Sequence, residues 1–195
     1  GNLACLARGA CLVVPAEAFA AKPTLQAVQQ ERCTSLYGVP TMFRCLLEEP
    51  GFETYDVSSL RTGVMAGAPC PIELMCDVIS KLHMPEVAIG YGMTETSPIS
   101  TMSLRDDPVE RRVSTVGKVH PHVEICIRDA STAQVLPRNT PGELCTRGYS
   151  VMSGYWNNPE ATTASIDSAG WMRTGDLAVM DEDGYLKIVG RIKDM

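Results

Sequence analysis

The strongest constraint in this 195-residue sequence is an alternation that repeats through its first half: a short β-rich run, then a helical pattern, with prolines at the changeovers. Residues 10–14 read as a strand. Residues 23–32 read as a helix in which Leu25 and Val28 share a face, and Pro23 fits the first turn because its missing N–H would be unpaired there anyway. The unit recurs with a strand at 34–38, which leads through Pro40 into a helix with Met42, Phe43, Leu46 and Leu47 apolar. A third strand spans 60–66, and Pro71 opens a helix in which Ile72, Met75, Val78, Ile79 and Leu82 are spaced by three and four, a stripe suited to packing on a sheet. Residues 86–91 form the fourth strand. The pattern predicts an α/β fold, a parallel sheet flanked by helices, with ligands bound beyond the carboxyl ends of the strands.

The character changes near residue 115. Short alternating strands at 123–127, 143–147, 177–180 and 185–189, separated by Pro, Gly, Asn and Asp, predict a small antiparallel β subdomain of distorted-barrel type. The expected division is therefore an α/β part at 1–114 and a β part at 115–195. Residues 102–114, with Arg105, Asp106, Asp107, Glu110, Arg111 and Arg112, read as a solvated charged loop between them.

Composition narrows the ligand class. Seventeen basic residues against twenty-three acidic ones give a net charge of -6, so no basic footprint points to nucleic acid or anionic lipid, and a small-molecule ligand is favoured. The eight cysteines include no Cys-x-x-Cys and mostly sit among apolar neighbours, which predicts buried reduced thiols. The three histidines offer no metal-ligand spacing, and a reducing compartment follows: cytoplasm, or alternatively the mitochondrial matrix. The longest apolar stretch, 10–21, is broken by Pro15 and Glu17 and falls short of the ~18 residues a spanning helix needs. Oligomeric state is not legible; a homo-oligomer is compatible with everything above.

The most specific stretch is Gly90-Tyr91-Gly92-Met93-Thr94-Glu95-Thr96, where the fourth strand ends. Glycines on both sides of Tyr91 permit close backbone approach to a flat ligand, and the ring offers a face for stacking. Thr94 and Glu95 set a hydroxyl beside a carboxylate, a pair that suits a phosphate and its Mg²⁺. Taken alone, the heptapeptide also reads as a strand-to-loop turn. Farther along, 177–180 and 185–189 flank Asp181-Glu182-Asp183-Gly184, and a two- or four-residue turn there pairs 180 with 185, 176 with 189 and 174 with 191. Asp176 and Arg191 would then be diagonal neighbours on one face, roughly 7 to 8 Å apart. An EF-hand reading of the acidic turn fails at Val179 and Gly190, which would have to be oxygen ligands.

Tyr-Gly-x-Thr-Glu is preceded by Ala66-Gly67-Ala68-Pro69 and followed by Arg173-Thr174-Gly175-Asp176 and Gly190-Arg191-Ile192-Lys193-Asp194. In this order the segments resemble the acyl-adenylate-forming superfamily, most closely medium-chain acyl-CoA synthetases. Gly142-Glu143-Leu144, Gly154-Tyr155-Trp156 and the run from Trp171 to Asp176 fit the same pattern. The resemblance implies that the backbone around Gly67, Ala68 and Pro69 and the ring of Tyr91 hold adenine, with Gly90, Gly92 and Met93 also among the nucleotide-binding residues. It assigns Thr94 to phosphate and Glu95 to the metal, as the catalytic pair. Asp176 would accept both ribose hydroxyls, and Arg191 would add a cationic fork beside the ribose and phosphate. Lys193 would sit at a hinge.

Tyr37, Val39, Ala66, Gly67 and Gly92 lie at the same strand ends and would border the acyl channel. For Tyr37 and Val39, packing in the core is an equal alternative. The implied co-substrates are ATP with Mg²⁺, a carboxylic acid and CoA. No Ser/Thr/Gly-rich phosphate loop with its lysine occurs in these residues, nor does a lysine-bearing C-terminal domain, so the chain is expected to be inactive or nearly so by itself. The alternatives are an aryl-CoA ligase, a luciferase-like enzyme, a peptide-synthetase adenylation domain or a non-catalytic nucleotide-binding domain. A nicotinamide-dependent enzyme is disfavoured because no Gly-x-Gly-x-x-Gly follows the first strand.

Overall fold

Prolines mark three of the helix starts in the first of the two units into which the chain divides, Gly1–Ala88 and Ile89–Met195. The computed structural model describes residues 2–192. Helix α1 (Asn2–Ala7) is followed by α2 (Ala21–Glu31), which carries Pro23 in its first turn and ends where Arg32 turns left-handed. Strand β1 (Ser35–Gly38) leads into α3 (Pro40–Leu47), with Pro40 at the first helical position. Strand β2 (Thr62–Ala66) leads into α4 (Ile72–Lys81), capped by Pro71. β1 and β2 are parallel, with Ser35 opposite Thr62 and Gly38 opposite Met65. Their separation depends on Gly63, since a Cβ there would lie 1.9 Å from the Leu36 carbonyl oxygen.

Leu25, Val28, Phe43, Leu46, Met65, Met75, Val78 and Leu82 are all buried and form the interior of this unit. Each such side chain removed from water contributes about 1.5–3 kcal/mol, the main force holding α2, α3 and α4 in place. In α4 the inward stripe takes Leu74 and leaves Ile72 exposed. Ile72 occupies the first helical position, and its side chain tilts back past the helix start, so it misses the inner face.

Residues 10–14 are not a strand. A strand is held by its ladder, and among the described residues none pairs with this run, so its β-propensity has nothing to act on. Leu12 and Val14 are exposed accordingly.

Strand β3 (Glu86–Tyr91) carries the chain from one unit to the next. Its start is tied to β2 by bonds from the Glu86 amide to the Arg61 carbonyl and from the Thr62 hydroxyl to the Glu86 carbonyl. Its end runs antiparallel to β4 (Thr101–Met102), with Tyr91 opposite Thr101, and β4 is antiparallel to β5 (Lys118–Val119). The helix-flanked sheet is thus mixed, parallel where crossover helices connect strands and antiparallel beyond Tyr91, where short loops suffice.

Between β4 and β5 lies α5 (Val109–Ser114). The solvated loop expected at 102–114 is therefore overturned: Asp107 and Arg112 are buried. Asp107 accepts from the Leu104 amide and from the Tyr185 hydroxyl, while the Arg112 guanidinium donates to the carbonyls of Asp107 and Arg105. Charge density is a poor guide here because the backbone supplies the partners that make burial tolerable.

The second sheet consists of β6 (Val123–Arg128), β7 (Gly142–Gly148), β8 (Met172–Met180) and β9 (Leu186–Arg191), antiparallel in that order, with α6 (Pro159–Ser165) between β7 and β8. It is a four-stranded sheet, and among the described residues β6 and β9 do not pair to close a barrel. Ile127, Leu144, Ala178 and Leu186 form its buried centre, against which Tyr91, Val116, Ile125 and Ile188 pack.

Only three of the eight cysteines, Cys70, Cys126 and Cys145, are buried, whereas Cys11, Cys45 and Cys76 are exposed. An apolar neighbour in sequence lies on another face of a helix or strand, which is why that expectation fails for most of them. Burial pushes the Cys145 thiol up to about 12 and the Cys70 thiol up to about 11. No described helix is long and apolar enough to cross a membrane.

Candidate active site

In the second unit, the end of β3 and the β8–β9 hairpin meet at one carboxylate. The Tyr91 hydroxyl donates to Asp176 Oδ2 at 2.5 Å, and Arg191 Nε donates to Asp176 Oδ1 at 3.1 Å. Asp176 is only 8% exposed, while the Arg191 side chain, held at Nε, is 72% exposed. Each carboxylate oxygen has one partner and keeps acceptor capacity for another donor. Burial, followed by the bond to Asp176, raises the Tyr91 phenol above its ordinary pKa, so it remains a donor throughout the neutral range. Thr174 completes the group: its hydroxyl donates to the Leu144 carbonyl at 2.8 Å and accepts from the Asp176 amide at 3.1 Å.

The hairpin reaches this arrangement by a register other than the expected one. Asp181 and Tyr185 close a longer turn, with the Tyr185 amide bonded to the Asp181 carboxylate, so Met180 pairs with Leu186. A bulge then leaves Val189 without an opposite residue, because Ala178 pairs with Ile188 but Leu177 with Gly190. Each one-residue slip turns the side chains to the other face, and two slips restore it. Arg191 therefore stands directly opposite Asp176, not diagonal to it.

The Thr94–Thr96 segment is a single 3-10 turn. Thr96, fully buried, shapes it: its hydroxyl accepts from the Met93 amide and donates to the Met93 carbonyl. Gly92 has a local reason to be glycine, since a Cβ there would lie 2.0 Å from the Pro98 carbonyl oxygen. The turn leaves Thr94 exposed and Glu95 partly exposed, with Glu95 Oε1 accepting from the Tyr155 hydroxyl at 2.9 Å. Among the described residues no hydrogen bond joins this pair to the Tyr91–Asp176–Arg191 group. A lone carboxylate beside a hydroxyl fits a magnesium ion that arrives with a nucleotide, because Mg²⁺ takes one or two protein carboxylates and fills its shell with phosphate and water.

A model of the AMP-binding enzyme family matches residues 1–156. The chain belongs to that family. It is 50% identical over all 195 residues to YngI of Bacillus subtilis (strain 168), whose name assigns it provisionally as an acyl-CoA synthetase, and the match covers 35% of that protein. It is 47% identical, again over its whole length, to 32% of a Bos taurus protein named medium-chain acyl-CoA ligase ACSF2, mitochondrial. The chain thus spans about a third of the length of these relatives. Among solved structures, the Bacillus subtilis O-succinylbenzoate coenzyme A synthetase MenE in complex with AMP superposes with a TM-score of 0.84. That match is 29% identical and covers 98% of this chain and 38% of that one.

In this AMP-binding family member Tyr37, Val39, Ala66, Gly67, Ala68 and Pro69 belong to the first unit, and Gly90 to the second. Gly67, with φ +87, follows β2, and a Cβ on it would meet Val39 at 3.4 Å. Ala68 and Pro69 are exposed beside it. Tyr37 and Val39 are 48% and 38% exposed, so the core-packing alternative does not hold for them. Lys193 lies outside the described residues. Three residues that organise the site went unassigned from sequence: Thr96, Thr174 and Tyr155. The first two stand inside quoted motifs, and Tyr155 sits in the Gly154-Tyr155-Trp156 segment, but a hydroxyl's partner across the fold has no signature in local sequence.

Proposed function

We propose that the chain forms the nucleoside end of an acyl-adenylate site in an ATP-dependent acyl-CoA synthetase that acts on a carboxylic acid, a medium-chain fatty acid by likeness to the relative named for that substrate class. The observation that carries this reading is the convergence of Tyr91 and Arg191 on the Asp176 carboxylate. An aromatic face, a two-oxygen acceptor and an exposed guanidinium are the chemistry that adenine, a ribose diol and a phosphate call for. The relatives' names support the acyl-CoA ligase class.

In the first half-reaction the acid's carboxylate oxygen attacks the α-phosphorus of ATP, the bond to the bridging oxygen breaks, and pyrophosphate leaves. In the second, the CoA thiolate attacks the acyl carbonyl and AMP leaves. Glu95 would hold Mg²⁺, which supplies charge neutralisation at the phosphates, and Thr94 would contact a phosphate oxygen. Asp176 and Arg191 position the nucleotide; neither has to move a proton. By the same resemblance, Gly67, Ala68 and Pro69 would contribute backbone to adenine binding, Gly90, Gly92 and Met93 would be among the nucleotide-binding residues, and Tyr37, Val39, Ala66, Gly67 and Gly92 would border the acyl group. With no Ser/Thr/Gly-rich phosphate loop in its sequence, the 195-residue chain would bind AMP weakly and turn over poorly by itself. We place the protein in the cytoplasm or, by likeness to the relative named mitochondrial, in the matrix.

The test is acid-dependent pyrophosphate exchange by the full-length protein with octanoate, benzoate and amino acids, followed by CoA transfer. Exchange with octanoate and formation of its CoA thioester are expected. Exchange only with amino acids, or AMP binding with no acid-dependent exchange, overturns the assignment.

A further inference from the structure

Glu95 is gripped twice by one distant segment. The Met152 amide donates to the Glu95 carbonyl at 2.9 Å, and the Tyr155 hydroxyl, 60 residues away in sequence, donates to Glu95 Oε1 at 2.9 Å. The gripping segment is itself held in place. The Tyr155 amide donates to the Thr162 hydroxyl on α6 at 2.9 Å, and that hydroxyl donates to the Asn158 carbonyl. The Asn158 side chain in turn caps α6 by accepting from the Ala161 amide. Gly154, with φ +152, lets the chain pass so close to α6 that a Cβ would lie 2.8 Å from Thr162 Cγ2. Tyr155 thus projects from a backbone fixed by a helix cap toward a side chain whose own backbone is fixed by the same segment.

We propose that Tyr155 is a positioning residue for the metal accompanying the nucleotide: its hydroxyl sets the rotamer of Glu95, presenting the second carboxylate oxygen as a preformed ligand. The proposal rests on reading Glu95 as the magnesium ligand. A glutamate on a surface turn has three free torsions, and a metal that binds to it must otherwise order them all. One hydrogen bond to the oxygen not used for ligation removes that cost and fixes direction, the role that outer partners of metal ligands play generally.

The test uses the full-length protein as wild type, Tyr155→Phe and Glu95→Gln. Mn²⁺ is titrated into the complex with a non-hydrolysable ATP analogue and followed by electron paramagnetic resonance, with metal-free AMP affinity and thermal midpoint measured in parallel. Tyr155→Phe is expected to weaken Mn²⁺ binding by about 10-fold, the effect usual for losing an outer partner, with AMP affinity and thermal midpoint unchanged. Wild-type Mn²⁺ affinity in Tyr155→Phe together with weakened binding in Glu95→Gln overturns the role of Tyr155 alone. Unchanged Mn²⁺ affinity in both variants overturns the reading of Glu95. A Tyr155→Phe protein that loses AMP affinity or thermal stability in step with Mn²⁺ binding shows a structural role and likewise overturns the proposal.

Discussion

Tyr91 and Asp176, 85 residues apart in sequence, share a hydrogen bond of 2.5 Å in which the phenol donates to Oδ2. The ring packs on the buried centre of the second sheet, and its hydroxyl reaches the carboxylate held opposite Arg191. A residue proposed to meet adenine and a residue proposed to meet ribose are thereby one mechanical unit.

Asp176→Ala is expected to remove both proposed ribose contacts. Hydrogen bonds to a charged group contribute about 1.5–3 kcal/mol each, so AMP affinity should fall by at least about 100-fold. Titration calorimetry reads this directly. The same change leaves the Tyr91 hydroxyl without its acceptor and should cost about 1–3 kcal/mol of stability, measured by denaturant unfolding.

The raised phenol of Tyr91 makes a prediction at high pH. Because the folded-state pKa lies above the unfolded value of about 10, the folded form binds more protons between the two, and stability falls as pH rises through that window. The contribution is fully present below pH ~10. Wild type should therefore lose stability more steeply than Tyr91→Phe, which has no phenol to ionise, as pH rises above ~10; equal slopes there would contradict the buried hydrogen bond.

Gly92→Ala and Gly190→Ala should behave differently although both flank site residues. The first drives a methyl to within 2.0 Å of the Pro98 carbonyl oxygen, while the second meets nothing within 4 Å. The expected cost is about 1–3 kcal/mol or more for Gly92→Ala, with backbone shifts that disturb the Thr94–Glu95 turn. Gly190→Ala should stay within about 0.5 kcal/mol of wild type. Thermal unfolding of the two variants side by side decides it.

Tyr185→Phe probes the buried segment that a charge-rich sequence disguises. Asp107 would keep the Leu104 amide but lose the phenol that donates to its other oxygen. A loss of about 1–3 kcal/mol is expected for stranding a buried acceptor. AMP affinity should be unaffected, since the residue lies at the turn end of the hairpin.

Local sequence determined the elements whose signals are local. The prolines at 23, 40 and 71 and the apolar spacings of α2, α3 and α4 mark helices because cap chemistry and the 3.6-residue period act within a few turns. The four strands of the second sheet were legible for the same reason, and the motif residues Tyr91, Glu95, Asp176 and Arg191 stand out through their resemblance to a family pattern. What lay beyond local reach was partnership. Residues 10–14 have strand composition and no ladder among the described residues, Asp107 and Arg112 have loop composition and buried partners, and a longer turn together with a bulge at Val189 moved Arg191 opposite Asp176. Thr174 and Tyr155 orient other side chains through single hydroxyl bonds. Backbone propensity is a property of neighbours along the chain, whereas burial, register and hydrogen-bond acceptors are supplied by residues far away in it, and only the tertiary structure brings those together.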